Sequence, residues 1–271
     1  MNTKNVVICG CTKNSSSYIE SHLEKLYSIG PYCKTMHIVL FENDSTDATK
    51  SRLKRFKESH QNIHLLFDTL NDKQLKPNVT KPYSSFVKKP INLAYARNAL
   101  LTYVNKNFAD YDYMIMVDLD TVVKNLQGSM INTIINKYSS TQWDVLTANS
   151  DKKYYDIWAL RVNKDIWDTS LHAKLWKEPI DYDCWMMKNA SKYVMGNKID
   201  IPSSFPSLIP VNSAFGGLGI YKISALKGCE YIAAFEDSLT CEHVYFHSQI
   251  INVNNGKIFI CPDLIVKSQC S

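Results

Sequence analysis

The fold of this chain is indicated by one stretch, YMIMVDLD at residues 113–120. The four residues directly before Asp118 are apolar, which is typical of a strand buried on both faces in the centre of a parallel sheet. Asp118 and Asp120 end the stretch, one residue apart. Ligands of open α/β sheets bind beyond the carboxyl ends of the strands, so we expect both carboxylates to lie at a binding edge.

Strand and helix patterns alternate along the residues that precede this stretch. Short apolar runs at 6–9, 37–41 and 63–67 predict three strands, and helical spacing of apolar residues predicts helices between them. Residues 71–90 lack periodicity and predict a long loop, followed by a helix at 92–107. Strands separated by helices of this size predict an α/β fold of Rossmann type, with a mixed, mainly parallel sheet flanked by helices.

Composition excludes several classes of protein. The 271 residues are 45% hydrophobic and 21% charged, a balance that argues against disordered and fibrous proteins. The formal net charge of +5 is spread along the chain, without the basic stripe of a nucleic-acid-binding protein. We therefore expect no nucleic-acid partner, and a weakly positive surface that attracts a small anion such as a nucleotide.

Cysteine spacing and hydropathy bear on the cellular setting. The eight cysteines include no C-x-x-C pair and are irregularly spaced, so neither a zinc knuckle nor a disulfide framework is predicted. No apolar run approaches the roughly 18 residues that span a bilayer, and no secretory signal precedes the first strand. We expect a soluble protein of the reducing cytoplasm.

Asp118 and Asp120 carry the predicted chemistry. Two carboxylates at one strand end can both approach one hard divalent cation through oxygen ligands. Such a cation neutralises a diphosphate and stabilises it as a leaving group. The alternative is a solvated turn at the strand end.

Two further motifs make the chain resemble GT-A-fold glycosyltransferases, which use nucleotide-diphosphate sugars as donors. FENDSTD at residues 41–47 is similar to the segment ending their second strand, commonly D-D-x-S-x-D, although Glu42 and Asn43 replace the two aspartates. ARN at 96–98 resembles their A-R-N helix segment, and the aspartate pair resembles their metal motif. A looser resemblance, through YDIWALR at 155–161 and FGGLG at 215–219, is to capsule-associated mannosyltransferases and enzymes of large DNA viruses.

The resemblance implies one continuous GT-A-like domain with two halves. Residues 1–125 would bind the nucleotide sugar, and the more irregular residues 126–271 would bind the acceptor and carry catalysis. The viral relatives extend the expected setting to a viral protein in the cytoplasm of its host.

The resemblance also implies roles for individual residues. The nucleoside would be held by polar residues that follow the first two strands, namely Thr12, Asn14, Glu42 and Asn43. Arg97 would contact the diphosphate, unless it forms an ion pair on the helix surface. Asp118 would reach the ribose or a metal-bound water, and Asp120 would coordinate Mn²⁺ or Mg²⁺ directly.

A second cluster, CEHVYFH at residues 241–247, contains two histidines four residues apart. His243 and His247 would share one side of either a helix or an extended segment. A late histidine often completes the metal shell of GT-A enzymes, which implies His247 as a metal ligand and His243 as the alternate. A hydrogen-bonded histidine of the core explains either one as well.

An inverting transferase needs a carboxylate base within reach of the acceptor hydroxyl. Glu242 is the first candidate and the pair Glu236–Asp237 the second, while Asp156 and Asp183 could also reach the cleft. A retaining enzyme needs no such base, and the stereochemistry stays open.

We expect a divalent-metal-dependent hexosyltransferase that moves a sugar to a hydroxyl of a glycan or glycoconjugate acceptor. The alternative is a haloacid-dehalogenase-like phosphatase, because apolar residues followed by D-x-D also typify that group, with Asp118 as the nucleophile. That motif normally opens its domain, whereas three strand patterns precede it here.

Overall fold

The computed structural model of this protein describes residues 3–70, 85–162, 201, 207–235 and 238–268. The candidate bases Asp183, Glu236 and Asp237 lie outside the described residues.

Eight strands, four from each half of the chain, form one sheet. The first half contributes the parallel strands β1 (Asn5–Thr12), β2 (Thr35–Asn43), β3 (Ile63–Asp68) and β4 (Tyr113–Asp118). The second half contributes β5 (Val145–Ser150), β6 (Ile209–Pro210), β7 (Leu218–Lys222) and, last in the chain, β10 (Ile258–Val266). The short strands β8 (Ala234–Phe235) and β9 (Ser238–Leu239) pair with each other, antiparallel, in a separate two-stranded sheet.

The strand order of the main sheet is β3-β2-β1-β4-β7-β5-β10-β6. Strand β7 is antiparallel to both β4 and β5, while β10 runs parallel to β5 and antiparallel to β6. The sheet is therefore mixed and mainly parallel, which confirms the predicted fold class.

Helices cover both faces of this sheet. They are α1 (Ile19–Tyr27), α2 (Thr49–Ser59), α3 (Ser85–Asn107), α4 (Gly128–Lys137) and α5 (Glu242–Asn254). Successive strand residues point to opposite faces, so Val6 and Ile8 pack with α1, α2 and α4, whereas Val7 and Cys9 pack with α3 and α5. Two hydrophobic cores result, one on each side of the sheet.

Helix α3 begins at Ser85, seven residues before the predicted start at residue 92, and contains Pro90. A proline inside a helix removes one main-chain hydrogen bond, which the rest of this 23-residue helix tolerates. The additional N-terminal part of the helix includes Pro90, which lines the cavity described below. Within the described ranges, no helix combines the length and the apolar character needed to cross a membrane.

Candidate active site

The predicted strand ends lie side by side at one edge of the sheet. In the register of the parallel strands, Thr12 of β1 is opposite Glu42 of β2, and Cys11 of β1 is opposite Asp118 of β4. Buried hydrophobic runs fix this register, because a slip of one residue would turn every core side chain to the wrong face. The polar residues after three separate strands therefore converge, as the sequence predicted.

Side chains at this edge brace the loops that follow β1 and β2. The main-chain N–H of Asn14 donates to Ser45 Oγ at 2.8 Å, and the Asn14 side-chain oxygen accepts from the Thr46 N–H at 2.8 Å. Glu42 is fully buried, accepts from the Ser45 N–H at 2.9 Å and lies 3.5 Å from Lys50 Nζ. Asn14 and Glu42 thus define the shape of these loops.

Two other candidate nucleoside-binding residues form local hydrogen bonds. Thr12 Oγ1 and Ser15 Oγ are 2.5 Å apart, and both residues are buried. The half-buried Asn43 donates its amide to Asp44 at 2.9 Å.

Arg97 is the centre of a buried ion-pair cluster. Its guanidinium, from α3, donates to Asp118 Oδ1 at 2.9 Å and is in close contact with the Glu242 carboxylate on α5. Only 3% of Arg97 is exposed. Burial lowers the pKa of Arg97, but Asp118 and other neighbours outweigh it and raise the pKa above its usual value. Arg97 is therefore a charged residue of the interior, unlike a surface ion pair.

Two aromatic rings enclose the Arg97 guanidinium. The Phe215 and Tyr231 ring centroids lie 5.1 and 5.9 Å from Arg97 Cζ, within the range of cation–π contacts. Asn98, the third residue of the A-R-N motif, donates to the Tyr231 carbonyl at 2.8 Å and accepts from its N–H at 2.7 Å. Tyr231 was missed in the sequence analysis, because its position depends on hydrogen bonds to Asn98, which is far away in the chain, and no local pattern indicates them.

A cavity of ≈ 220 Å³ opens beside this cluster. One part of its wall is largely apolar, formed by Pro90, Leu93, Trp158, Phe215 and Cys241. The other part is polar and consists of five residues singled out from the sequence: Arg97, Asp118, Asp156, Glu242 and His243. Since these five come from four separate segments of the chain, the fold itself assembles the site.

Asp156 is the carboxylate of this cavity with a raised pKa. One of its oxygens accepts the Gly216 N–H at 3.0 Å. Burial raises the pKa of Asp156, the Gly216 hydrogen bond lowers it and the charge of Asp118 raises it, and the net result is a pKa of about 6. Asp156 therefore exchanges its proton close to neutral pH, a property of many general bases.

Asp120 begins the short 3-10 helix Thr121–Asn125, where its side chain accepts the Val122 N–H at 3.0 Å. Burial, followed by the charges of Asp156, Asp118 and Asp120, raises the pKa of Tyr155. The Tyr155 hydroxyl thus lies in the electric field of three aspartates, and it has no hydrogen-bond partner among the described residues.

The donor set at the end of β4 suits a hard cation. Among the described residues, no three His, Cys, Asp or Glu side chains are grouped so that they could hold a metal ion. Mg²⁺ is, however, commonly bound by one or two carboxylates together with phosphate oxygens and water, and Mn²⁺ prefers the same oxygen donors. The carboxylates of Asp118 and Asp120 are therefore the residues here whose chemistry would suit Mn²⁺ or Mg²⁺.

The two histidines of α5 occupy different environments. His247 is fully buried, with Nδ1 3.0 Å from Ser213 Oγ and Nε2 3.1 Å from Tyr221 Oη, and burial lowers its pKa to about 3. Both of its ring nitrogens are engaged within the core. His243 lies one turn earlier in α5 and lines the cavity.

Comparison with known proteins bears on the fold. No family model and no curated protein matches the chain. The mannosyltransferase PcManGT from Pyrobaculum calidifontis, solved in complex with GDP-Man and Mn²⁺, superposes with a TM-score of 0.54 at 14% identity, covering 100% of this chain and 58% of that one. TarS 1–349 from S. aureus superposes with a TM-score of 0.51 at 17% identity, covering 98% and 60%.

The chain thus spans about three fifths of the length of these two structures. Identities this low establish the architecture alone. The protein has the GT-A glycosyltransferase fold that its motifs predicted.

Proposed function

We propose that this protein is a divalent-metal-dependent hexosyltransferase that moves a sugar from a nucleotide-diphosphate donor to a hydroxyl of a glycan or glycoconjugate. One observation carries the proposal: the Arg97–Asp118–Glu242 cluster lines a cavity at the carboxyl edge of a GT-A sheet. That edge is where α/β folds bind nucleotides. Further support comes from PcManGT, which shares the fold and binds GDP-Man with Mn²⁺.

The two aspartates at the end of β4 and the arginine beside them have different proposed roles. Asp118 and Asp120 would hold Mn²⁺ or Mg²⁺, which neutralises the charge of the departing diphosphate when bound. Arg97 already contacts Asp118 and Glu242, so we assign it the task of holding both carboxylates in place.

Of the candidate bases that line the cavity, Asp156 is better suited to an inverting transfer than Glu242. Glu242 is tied to Arg97, whereas the pKa of Asp156 is about 6, near the operating pH of a general base. Asp156 would accept the proton of the acceptor hydroxyl while the hydroxyl oxygen bonds to the anomeric carbon and the nucleotide diphosphate leaves.

Calorimetry with UDP and GDP, each with and without Mn²⁺, tests the proposal. We expect one of the two nucleotides to bind at least about tenfold, or 1.4 kcal/mol, more tightly when Mn²⁺ is present. A screen of nucleotide-sugar hydrolysis would then identify the donor. Failure of both nucleotides to bind in the presence of Mn²⁺ would refute the assignment.

The phosphatase alternative is not favoured, because the fold is that of glycosyltransferases. Asp118, its required nucleophile, also accepts a hydrogen bond from Arg97. Hydrolysis of a generic phosphate ester in the presence of Mg²⁺ would instead support the phosphatase alternative.

A further inference from the structure

We infer that His243 binds a hydroxyl group of an uncharged sugar ring seated in the cavity. The inference rests on the proposed glycosyltransferase function. It adds a residue of this chain that recognises the sugar ring itself, whether the ring belongs to the donor or to the acceptor.

The first argument is the unmet hydrogen-bonding capacity of His243. Only 2% of the residue is exposed, and within the described part of the chain neither ring nitrogen has a hydrogen-bond partner. Glu242 Oε1 lies 3.8 Å from Nε2, beyond hydrogen-bonding distance. Buried polar groups are nearly always paired, so two unpaired ring nitrogens on a residue that lines the cavity indicate a ligand that pairs with one of them.

The second argument is that the ring is held in one orientation. His243 stacks on Phe215 with ring centroids 3.8 Å apart and an interplanar angle of 22°. Tyr231 packs against it edge-on, at 5.6 Å and 85°. Because these contacts use the faces and edges of the ring without satisfying its nitrogens, His243 is positioned for a hydrogen bond that the protein does not make itself.

The third argument concerns charge. Burial, with a further contribution from Arg97, holds the pKa of His243 well below its usual value, so the imidazole is neutral. A neutral imidazole has one N–H donor and one acceptor nitrogen. A sugar hydroxyl, which both donates and accepts, complements either of them, whereas a phosphate would favour a cation.

The rest of the cavity suits the same kind of ligand. Trp158, which is half-buried, offers aromatic surface on which the C–H face of a sugar can pack. Among the described lining residues, Arg97 is the one cation, and it already faces two carboxylates, so an anionic sugar is disfavoured. A volume of ≈ 220 Å³ is below the roughly 300–1,000 Å³ of drug-sized sites and suits about one ring.

The test compares His243→Phe, which keeps an aromatic ring to stack on Phe215, with His243→Asn, which keeps a donor and an acceptor. Calorimetry with Mn²⁺ would measure UDP, GDP, UDP-glucose, UDP-galactose, UDP-N-acetylglucosamine and GDP-mannose. If the ring belongs to the donor, His243→Phe should weaken binding of the tightest-binding nucleotide sugar about 5- to 20-fold. This is the effect of losing roughly one hydrogen bond to a buried group. Binding of the parent nucleotide would change less than twofold, and His243→Asn would recover part of the loss.

A sugar of the acceptor gives a different pattern. Binding of the nucleotide sugars would then be unchanged in His243→Phe, and methyl glucoside, galactoside and mannoside, titrated with the bound nucleotide present, would bind only to the wild type. Either pattern supports the inference and identifies the source of the ring.

Three outcomes overturn it. Equal weakening of the parent nucleotide and the nucleotide sugar, in the presence of Mn²⁺, would make His243 a metal ligand. Unchanged binding of every compound would leave His243 without a ligand. If the wild type bound neither UDP nor GDP, the glycosyltransferase proposal would fail first, and this inference with it.

A change in α5 remote from the cavity controls for loss of stability. Asn254 ends the helix and donates to the carbonyls of Ala225 at 3.0 Å and Lys227 at 3.1 Å. Asn254→Ala should lower the melting temperature without changing the ratio of nucleotide-sugar to nucleotide affinity. A changed ratio would show that loosening α5 alone mimics the His243 effect, and the inference would fall.

Discussion

The Nη2 atom of Arg97 lies 2.9 Å from Oδ1 of Asp118, although the two residues are 21 positions apart in the chain. The contact ties helix α3 to the end of strand β4. The same guanidinium meets Glu242 at the start of α5, so one buried cation joins three elements around the candidate site.

Removing this cation should destabilise the protein strongly. Arg97→Met would leave Asp118 and the buried Glu242 without their counter-ion, and breaking a buried ion pair costs about 3–5 kcal/mol. Arg97→Lys should lower the free energy of unfolding by less, because the ammonium group keeps the positive charge. Some loss should remain, because an ammonium cannot donate to two carboxylates as the forked guanidinium does. Urea unfolding measures both variants. Equal unfolding midpoints for Arg97→Met and the wild type would contradict this view of the cluster.

Asp120→Asn separates the proposed metal-binding role of Asp120 from its structural role. Asparagine caps a helix about as well as aspartate, so the free energy of unfolding should change by less than about 1 kcal/mol. Loss of the charge should weaken Mn²⁺-dependent binding of UDP or GDP at least about tenfold, or 1.4 kcal/mol, and abolish sugar transfer. Calorimetry with Mn²⁺ checks this, and unchanged affinity and turnover would remove Asp120 from the metal site.

Asp156 should make stability fall as the pH rises. Its pKa is raised from 3.8 to about 6, so between these values the folded protein keeps a proton that the unfolded chain has released. At about 1.4 kcal/mol per pKa unit, the contribution of Asp156 to the free energy of unfolding therefore falls by up to about 3 kcal/mol over this interval. Above it, this contribution no longer changes with pH.

Other carboxylates, whose pKa values are lowered by folding, make stability rise with pH. Comparing Asp156→Asn with the wild type removes their contribution and leaves that of Asp156. Urea unfolding at pH 4.5 and pH 7 should find the variant more stable, relative to the wild type, at pH 7 than at pH 4.5. A difference that does not change with pH would contradict the raised pKa.

Gly217 should tolerate no side chain. Its φ is +87°, and an added Cβ would lie 2.4 Å from Val122 Cγ2 and 2.9 Å from the Tyr155 hydroxyl. Its carbonyl also accepts the Asp118 N–H at 2.8 Å, so a shift here moves the end of β4, where we propose that the metal binds. We expect Gly217→Ala to cost about 2–4 kcal/mol and to weaken Mn²⁺-dependent nucleotide binding.

Gly228 provides the matched control. Its φ is +72°, but nothing lies within 4 Å of an added Cβ. Gly228→Ala should cost only the backbone strain of about 1–2 kcal/mol and leave nucleotide affinity unchanged. Equal effects of the two variants in thermal unfolding would show that crowding at Gly217 is unimportant.

Sequence patterns predicted the parts of the fold that depend on neighbouring residues. The apolar runs located β1 to β4, because a strand buried on both faces consists of an almost continuous run of apolar residues. The same patterns placed Asp118 and Asp120 after β4. They did not find the start of α3, since Pro90 normally indicates a helix boundary and here lies inside the helix.

The site needed tertiary structure wherever it depends on residues far apart in the chain. His243 and His247 are equivalent by spacing, yet one lines the cavity and the other is bonded to Ser213 and Tyr221. Only the packing of α5 against the sheet and its loops makes that choice.

The α/β architecture and the paired carboxylates at a strand end thus follow from the sequence, because both depend on the spacing of residues that are close together in the chain. The tertiary structure alone decided that Arg97 meets Glu242 in the interior and that β7 runs antiparallel between β4 and β5. Contacts of this kind arise from how distant segments pack to bury apolar surface and pair charge, and no local pattern records them.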